Sequence, residues 1–135
     1  MIVNTAYPYM KKIAPANPII FNGNVVNYNY EGSATLTSYG FNFVSNNNVY
    51  FYNVNCKKRT SLAIVGESSA IGFSQQVTVT FLKNGEQTSL AVYFTNVTST
   101  KTVTIPAKYQ TNDVTVIFST GNLPAQLLLK SATLS

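Results

Sequence analysis

Four tyrosines are the side chains of this sequence best suited to hold a small molecule. They are Tyr28, Tyr30, Tyr50 and Tyr52. Within each pair the rings are two residues apart, and residues two apart in a β-strand lie on the same face. Asparagines occupy the opposite faces of the same predicted strands, at Asn27, Asn29, Asn53 and Asn55. This pattern predicts a sugar-binding surface, because pyranose C–H faces stack on rings while sugar hydroxyls bond to amides.

Two other interpretations of the four tyrosines remain open. Tyrosine is amphipathic, so the rings would also suit the edge of the core, with their hydroxyls reaching water. Tyrosine is enriched in protein–protein interfaces as well, where the rings would contact a partner. The sequence contains no tryptophan, which weighs against sugar binding.

Residues that catalyse reactions or bind metals are scarce. Histidine is absent, and the four acids are Glu31, Glu67, Glu86 and Asp113, each in or next to a predicted turn. The lack of histidine excludes histidine-based acid–base catalysis and histidine-containing metal sites. A glycosidase pair or a calcium site would need distant loops to converge. We therefore predict no enzymatic activity, no catalytic residue, no metal and no cofactor.

Cys56 is the only cysteine, so the chain cannot form an internal disulfide. The adjacent Lys57-Lys58-Arg59 run would lower the pKa of a nearby thiol. However, no histidine can act as its base, and a free cysteine is most often a small hydrophobe. The basic run itself is typical of a solvated turn. We expect Cys56 to be structural.

The charge and hydropathy of the chain limit its partners. The net charge is +5, and the basic residues form short clusters rather than the broad stripe of a nucleic-acid-binding protein. No apolar run approaches the ~20 residues needed to span a bilayer. The sequence therefore predicts neither a specific nucleic-acid partner nor a membrane partner.

The elements that would position these side chains are strands. Strict alternation of apolar and polar residues recurs in 76–81, 102–105 and 113–118, which is the period of a half-buried strand. No stretch has helical spacing, so almost no helix is expected. The candidate strands are 19–21, 24–30, 35–44, 49–55, 61–65, 77–82, 89–95, 101–105, 114–119 and 125–134. Such short strands predict an all-β fold, a single antiparallel β-sandwich of jelly-roll type with an extended N-terminal arm.

Turn residues separate these candidate strands. Asn84-Gly85 is the sharpest signal, because this dipeptide readily adopts the positive φ angles of a type I′ hairpin turn. Further predicted turns are 31–33, 45–48, 66–69 and 121–122.

Residues 1–18 differ from the sandwich domain predicted for 19–135. Three prolines, Pro8, Pro15 and Pro18, disfavour both strand and helix in this segment. The segment also carries the apolar residues Ile2, Val3, Tyr7, Tyr9, Met10 and Ile13. These six side chains predict an arm that docks on a partner. The alternative is an arm that folds back over an edge strand of its own sheet.

Two resemblances bear on function. The strand rhythm of 76–81, 89–94, 114–118 and 127–134 resembles the galactose-binding-like jelly rolls of carbohydrate-binding modules. The whole chain, with its apolar N-terminal segment before a small Thr/Asn-rich β-domain, is similar to short structural proteins of tailed bacteriophages. The resemblance implies a domain that is held on a phage particle and displays a sugar-binding face.

Two hypotheses follow. The first is a non-enzymatic virion protein, a capsid decoration or a tail or baseplate accessory, which docks through its arm on other virion proteins or on copies of itself. It would be located in the virion and made in the host cytoplasm, since the N-terminus lacks a signal peptide pattern. The alternative is a carbohydrate-binding module whose Tyr/Asn-rich face binds cell-surface carbohydrate.

Overall fold

A computed structural model describes residues 17–135 of this protein. Strands make up nearly all of its regular structure. The strands are β1 (Ile19–Asn22), β2 (Val25–Val26), β3 (Tyr30–Gly32), β4 (Thr35–Thr37), β5 (Gly40–Phe43), β6 (Asn48–Val54), β7 (Ser61–Ser68), β8 (Gln75–Lys83), β9 (Glu86–Phe94), β10 (Ser99–Thr104), β11 (Val114–Ser119) and β12 (Leu127–Leu134). A short 3-10 turn spans Ala107–Tyr109. Within the described residues, no helix is long and apolar enough to cross a membrane.

The strands form two antiparallel sheets. In the seven-stranded sheet, one side of β12 pairs with β7, and the other side pairs first with β5 and then with β1. Strands β10, β2 and β4 extend this sheet from β7, β1 and β5. The five-stranded sheet has the order β3-β6-β11-β8-β9. β12 thus holds together segments from both halves of the sequence.

The core lies between the two sheets. Alternation along the strands points one apolar face of each sheet inward. Phe21 and Phe41 of the seven-stranded sheet meet rings of the five-stranded sheet. The Phe51 centroid lies 5.5 Å from that of Phe21 and 5.7 Å from that of Phe41, and the Phe118 centroid lies 6.1 Å from that of Phe21. Edge-to-face and offset contacts of this kind add to the stabilisation from burial alone. The aromatic cluster joins the sheets at the centre of the sandwich.

The fold prediction is confirmed: the described chain is an antiparallel β-sandwich of jelly-roll type. The Asn84-Gly85 turn is also confirmed, with positive φ angles of 52° and 80° between β8 and β9. The predicted arm residues Ile2, Val3, Tyr7, Tyr9, Met10 and Ile13 lie outside the described residues.

Four predicted segments are wrong in detail. The single strand predicted for 24–30 is two strands in different sheets, because the chain crosses from β2 to β3 between them. The strand predicted for 35–44 is a hairpin, where the backbone N–H of Tyr39 donates to Thr37 Oγ1. The turn predicted for 66–69 is largely strand, because β7 continues to Ser68 in register with Leu127. Likewise Glu31 and Gly32 belong to β3 rather than to a turn.

Candidate functional site

The outer face of the five-stranded sheet carries the side chains that bear on binding. Strand register places Tyr50 between Glu31 of β3 and Ile117 of β11, and Ile117 pairs in turn with Thr80 of β8. The residues on either side of Tyr50 in sequence, Val49 and Phe51, lie in the core. The side chain of Tyr50 therefore points outward, along with the residues of its row.

An open cleft lies at the β3–β6 edge of this face. Its volume is about 340 Å³, and it is lined by Glu31, Gly32, Ser33, Asn48, Tyr50 and Tyr52. The rings of Tyr50 and Tyr52 are stacked, with centroids 6.2 Å apart and planes inclined by 25°. Both rings are half-exposed. The Tyr52 hydroxyl donates a hydrogen bond to the Glu31 carboxylate. We call this the tyrosine cleft.

A backbone irregularity helps to position Tyr52. The β6–β11 register shifts between Val114 and Val116, and Asn53 has a φ of 55°. Such bulges redirect side chains and interrupt pairing. The Tyr52 N–H then donates to the carbonyl of Asn29, 2.8 Å away, which ties β6 to the segment that enters β3. The bulge begins directly after Tyr52. The hydrogen bond to Asn29 holds the backbone of Tyr52 beside Glu31.

The electrostatics of the tyrosine cleft are simple. Among residues 17–135, Glu31 is the one acidic residue that lines it, and no cationic side chain of this part of the chain does so. The hydrogen bond to the Glu31 carboxylate raises the pKa of Tyr52, so its hydroxyl stays protonated as a donor. The cleft therefore offers two ring faces, one carboxylate and one amide.

The structure does not bring the other two predicted tyrosines into this cleft. Tyr28 lies between β2 and β3, half-buried, and its hydroxyl donates to the carbonyl of Asn17 at 2.9 Å. Burial raises the pKa of Tyr28. The Tyr30 ring is 42% exposed and packs edge to face on Phe41, with the two centroids 5.5 Å apart. Tyr28 and Tyr30 thus pack at the edge of the core.

The predicted asparagines contribute to local structure rather than to the cleft. The Asn27 amide donates to the carbonyl of Ile19, and the Asn53 amide donates to Asp113. The Asn55 side chain accepts a hydrogen bond from the Lys57 N–H. Asn48 lines the cleft instead. The alternation of 49–52 extends back to Asn48, so this residue could have been found from the sequence.

Cys56 is fully buried in the core. Burial raises the pKa of its thiol to about 12, against the smaller opposing influence of Arg59. The neighbouring cations therefore do not activate it, as the sequence analysis expected.

Comparisons place the fold among known structures. A variant of CBM29-2, from a study of ligand recognition by family 29 carbohydrate-binding modules, aligns with a TM-score of 0.64 and 16% identity, over 87% of this chain and 89% of that one. CBM29_1 of Piromyces equi aligns with a TM-score of 0.58 and 7% identity, over 85% and 88%. CBM36, in complex with calcium and xylotriose, aligns with a TM-score of 0.59 and 13% identity, over 87% and 97%.

No protein-family model and no curated protein sequence matches this chain. At the identities above, the likeness shows the fold alone. The chain thus shares its jelly-roll fold with these carbohydrate-binding modules.

Proposed function

We propose that this protein is a carbohydrate-binding module that binds neutral glycans at the tyrosine cleft. The observation that carries the proposal is the stacked pair of half-exposed rings, Tyr50 and Tyr52, beside Glu31 and Asn48 in one open cleft. Sugar rings present apolar C–H faces that pack on aromatic rings, and their hydroxyls donate to carboxylates and bond to amides. The shared fold of the neighbouring structures supports the same conclusion.

The charge of the cleft favours neutral over acidic sugars. A uronic acid or sialic acid carries a carboxylate, which the Glu31 carboxylate would repel. No lysine or arginine of the described part of the chain lines the cleft to offset that repulsion.

The distribution of acids favours binding without cleavage. Most glycosidases use two carboxyl groups that flank the scissile bond. Of the four acids in the sequence, only Glu31 lines the tyrosine cleft. The role in a virion, the docking arm and the virion location stay predictions, because neither the comparisons nor the described residues test them.

The proposal is tested by screening the purified protein on a glycan array and measuring affinities for the best neutral glycans by calorimetry. We expect Tyr50→Ala and Tyr52→Ala each to weaken binding about tenfold, since each removes a ring face that stacks on the sugar. Both side chains are half-exposed, so the variants should remain folded.

Tyr39→Ala is the matched control. Tyr39 is 72% exposed in the β4–β5 turn of the other sheet, so its removal should leave affinity unchanged. If a variant that lacks both tyrosine rings binds as tightly as the wild type, the assignment of the cleft is contradicted. If the wild type binds no glycan on the array, the proposed function is contradicted.

A further inference from the structure

A second cleft lies at the end of the sandwich where β8 begins and β11 ends. Its volume is about 400 Å³, and it is lined by Phe73, Ser74, Gln75, Gln76, Gly121, Asn122, Leu123 and Pro124. Its walls are the loops 69–74 and 120–126, which are distant in sequence. We call this the end cleft.

Gln75 fixes the two walls of the end cleft together. Its side chain is buried, and its amide nitrogen donates to Ser68 Oγ at 2.6 Å and to the carbonyl of Gln126 at 3.2 Å. Its amide oxygen accepts a hydrogen bond from the Ala125 N–H at 3.0 Å. Because this buried amide is bonded on both sides, the cleft is preformed and needs no ligand to hold it open.

Like the tyrosine cleft, the end cleft combines an aromatic ring with amide side chains. Phe73 is 50% exposed, and the amide side chains of Gln76 and Asn122 are exposed beside it. Tyr93 of β9, 51% exposed, is the register partner of Gln76. The residues of 17–135 that line the end cleft are all uncharged. An aromatic ring beside uncharged amides matches a neutral sugar.

One residue of the end cleft, Gln76, lies on the face that carries the tyrosine cleft. Gln76 is exposed between the buried Gln75 and Val77, so it lies on the outer face of the five-stranded sheet together with Thr78 and Thr80. Thr80 belongs to the row of Tyr50, two strands from β6. Strand spacing and rise separate Gln76 from Tyr50 by roughly 17 Å along the diagonal of the sheet. That distance exceeds the length of one sugar ring several times over.

We propose that the tyrosine cleft and the end cleft are two subsites of one groove, which binds a neutral oligosaccharide along the diagonal of the sheet. This inference rests on the proposed function and deepens it, because it assigns the ligand class as a glycan chain rather than a single terminal sugar. Phe73 provides the stacking surface of the second subsite, and Gln76 and Asn122 provide its polar contacts.

The test measures affinity against chain length, with xylo-, cello- and β-1,4-galacto-oligosaccharides from disaccharide to hexasaccharide as probes. The wild type should bind the longer chains more tightly. Phe73→Ala should weaken hexasaccharide binding about five- to tenfold and leave disaccharide binding within twofold, because only a long chain reaches Phe73. Tyr50→Ala should weaken binding at every length.

Ile71→Ala is the matched control, since Ile71 lies in the same loop, is 80% exposed and does not line the end cleft. It should bind every length as the wild type does. The groove would be contradicted if binding depended on Tyr50 but not on Phe73, or if the affinity were equal at all chain lengths. Neither result would contradict the proposed function. Absence of wild-type binding both to these oligosaccharides and on the glycan array would overturn both.

Discussion

At the scale of single residues, Glu67 shows how an exposed charge contributes to this fold. Its carboxylate lies 2.5 Å from Lys130 Nζ and accepts a 2.5 Å hydrogen bond from Thr98 Oγ1. The Lys130 ammonium, and then the Thr98 hydroxyl, hold the pKa of Glu67 below its usual value of 4.5. Because the pKa of Glu67 is lower in the folded protein than in the unfolded chain, the ion pair stabilises the folded protein at pH values above 4.5. This stabilisation is lost as the pH falls through the lowered pKa. Glu67→Gln should reduce the free energy of unfolding by less than about 1 kcal/mol at neutral pH, since exposed pairs contribute little.

Urea denaturation at a series of pH values from neutral downward checks this prediction, because the difference between wild type and variant should shrink as the pH falls through the lowered pKa of Glu67. Glu86→Gln is the control, since Glu86 lies 3.5 Å from Lys108 in a more exposed pair and should have a smaller effect. A loss that is equal at all of these pH values would mean that Glu67 acts through packing rather than charge.

At the scale of elements, substitution of two glycines would distinguish the cost of backbone strain from the cost of a steric clash. Gly85, in the β8–β9 turn, has a φ of 80° and open space where a Cβ would lie. Gly40, at the start of β5, has a φ of 134°, and its Cβ would lie 2.0 Å from the carbonyl oxygen of Leu129 in β12. Gly85→Ala should cost about 1 kcal/mol of unfolding free energy, the cost of a left-handed conformation. Gly40→Ala should cost about 3 kcal/mol or more, because β5 must also move away from β12. Urea denaturation of both variants measures the difference, and equal losses would contradict the close approach of β5 to β12.

At the scale of the whole molecule, the reactivity of the single thiol, Cys56, measures how often the protein unfolds. It is fully buried in the core that both sheets share, and its pKa is raised to about 12. A thiol reagent should therefore label the native protein only through unfolding, at a rate that rises with urea with the same dependence as the global transition. The control is the variant Cys56→Ala with Tyr39→Cys, whose exposed thiol should react at once. Labelling of Cys56 that is fast and independent of urea would show a local opening of this end of the core.

The sequence by itself determined the class of fold and one of its turns. Alternation is a local property with a period of two, and it predicts strands wherever one face is buried, as in β8 and β11. The positive φ angles at Asn84 and Gly85 depend on the preferences of those two residues alone, so the hairpin was predictable without knowledge of the rest of the chain. Tyr50 and Tyr52 share a face for the same local reason.

Only the tertiary structure decided which side chains meet across strands and loops. Glu31 reaches Tyr52 because β3 pairs with β6, and 24–30 divides because its two ends pair in different sheets. Phe73 and Asn122 line one cleft because Gln75 joins loops that are far apart in the chain. The physical reason is that strand pairing and loop contacts depend on long-range packing and hydrogen bonds, which no local pattern of residues specifies.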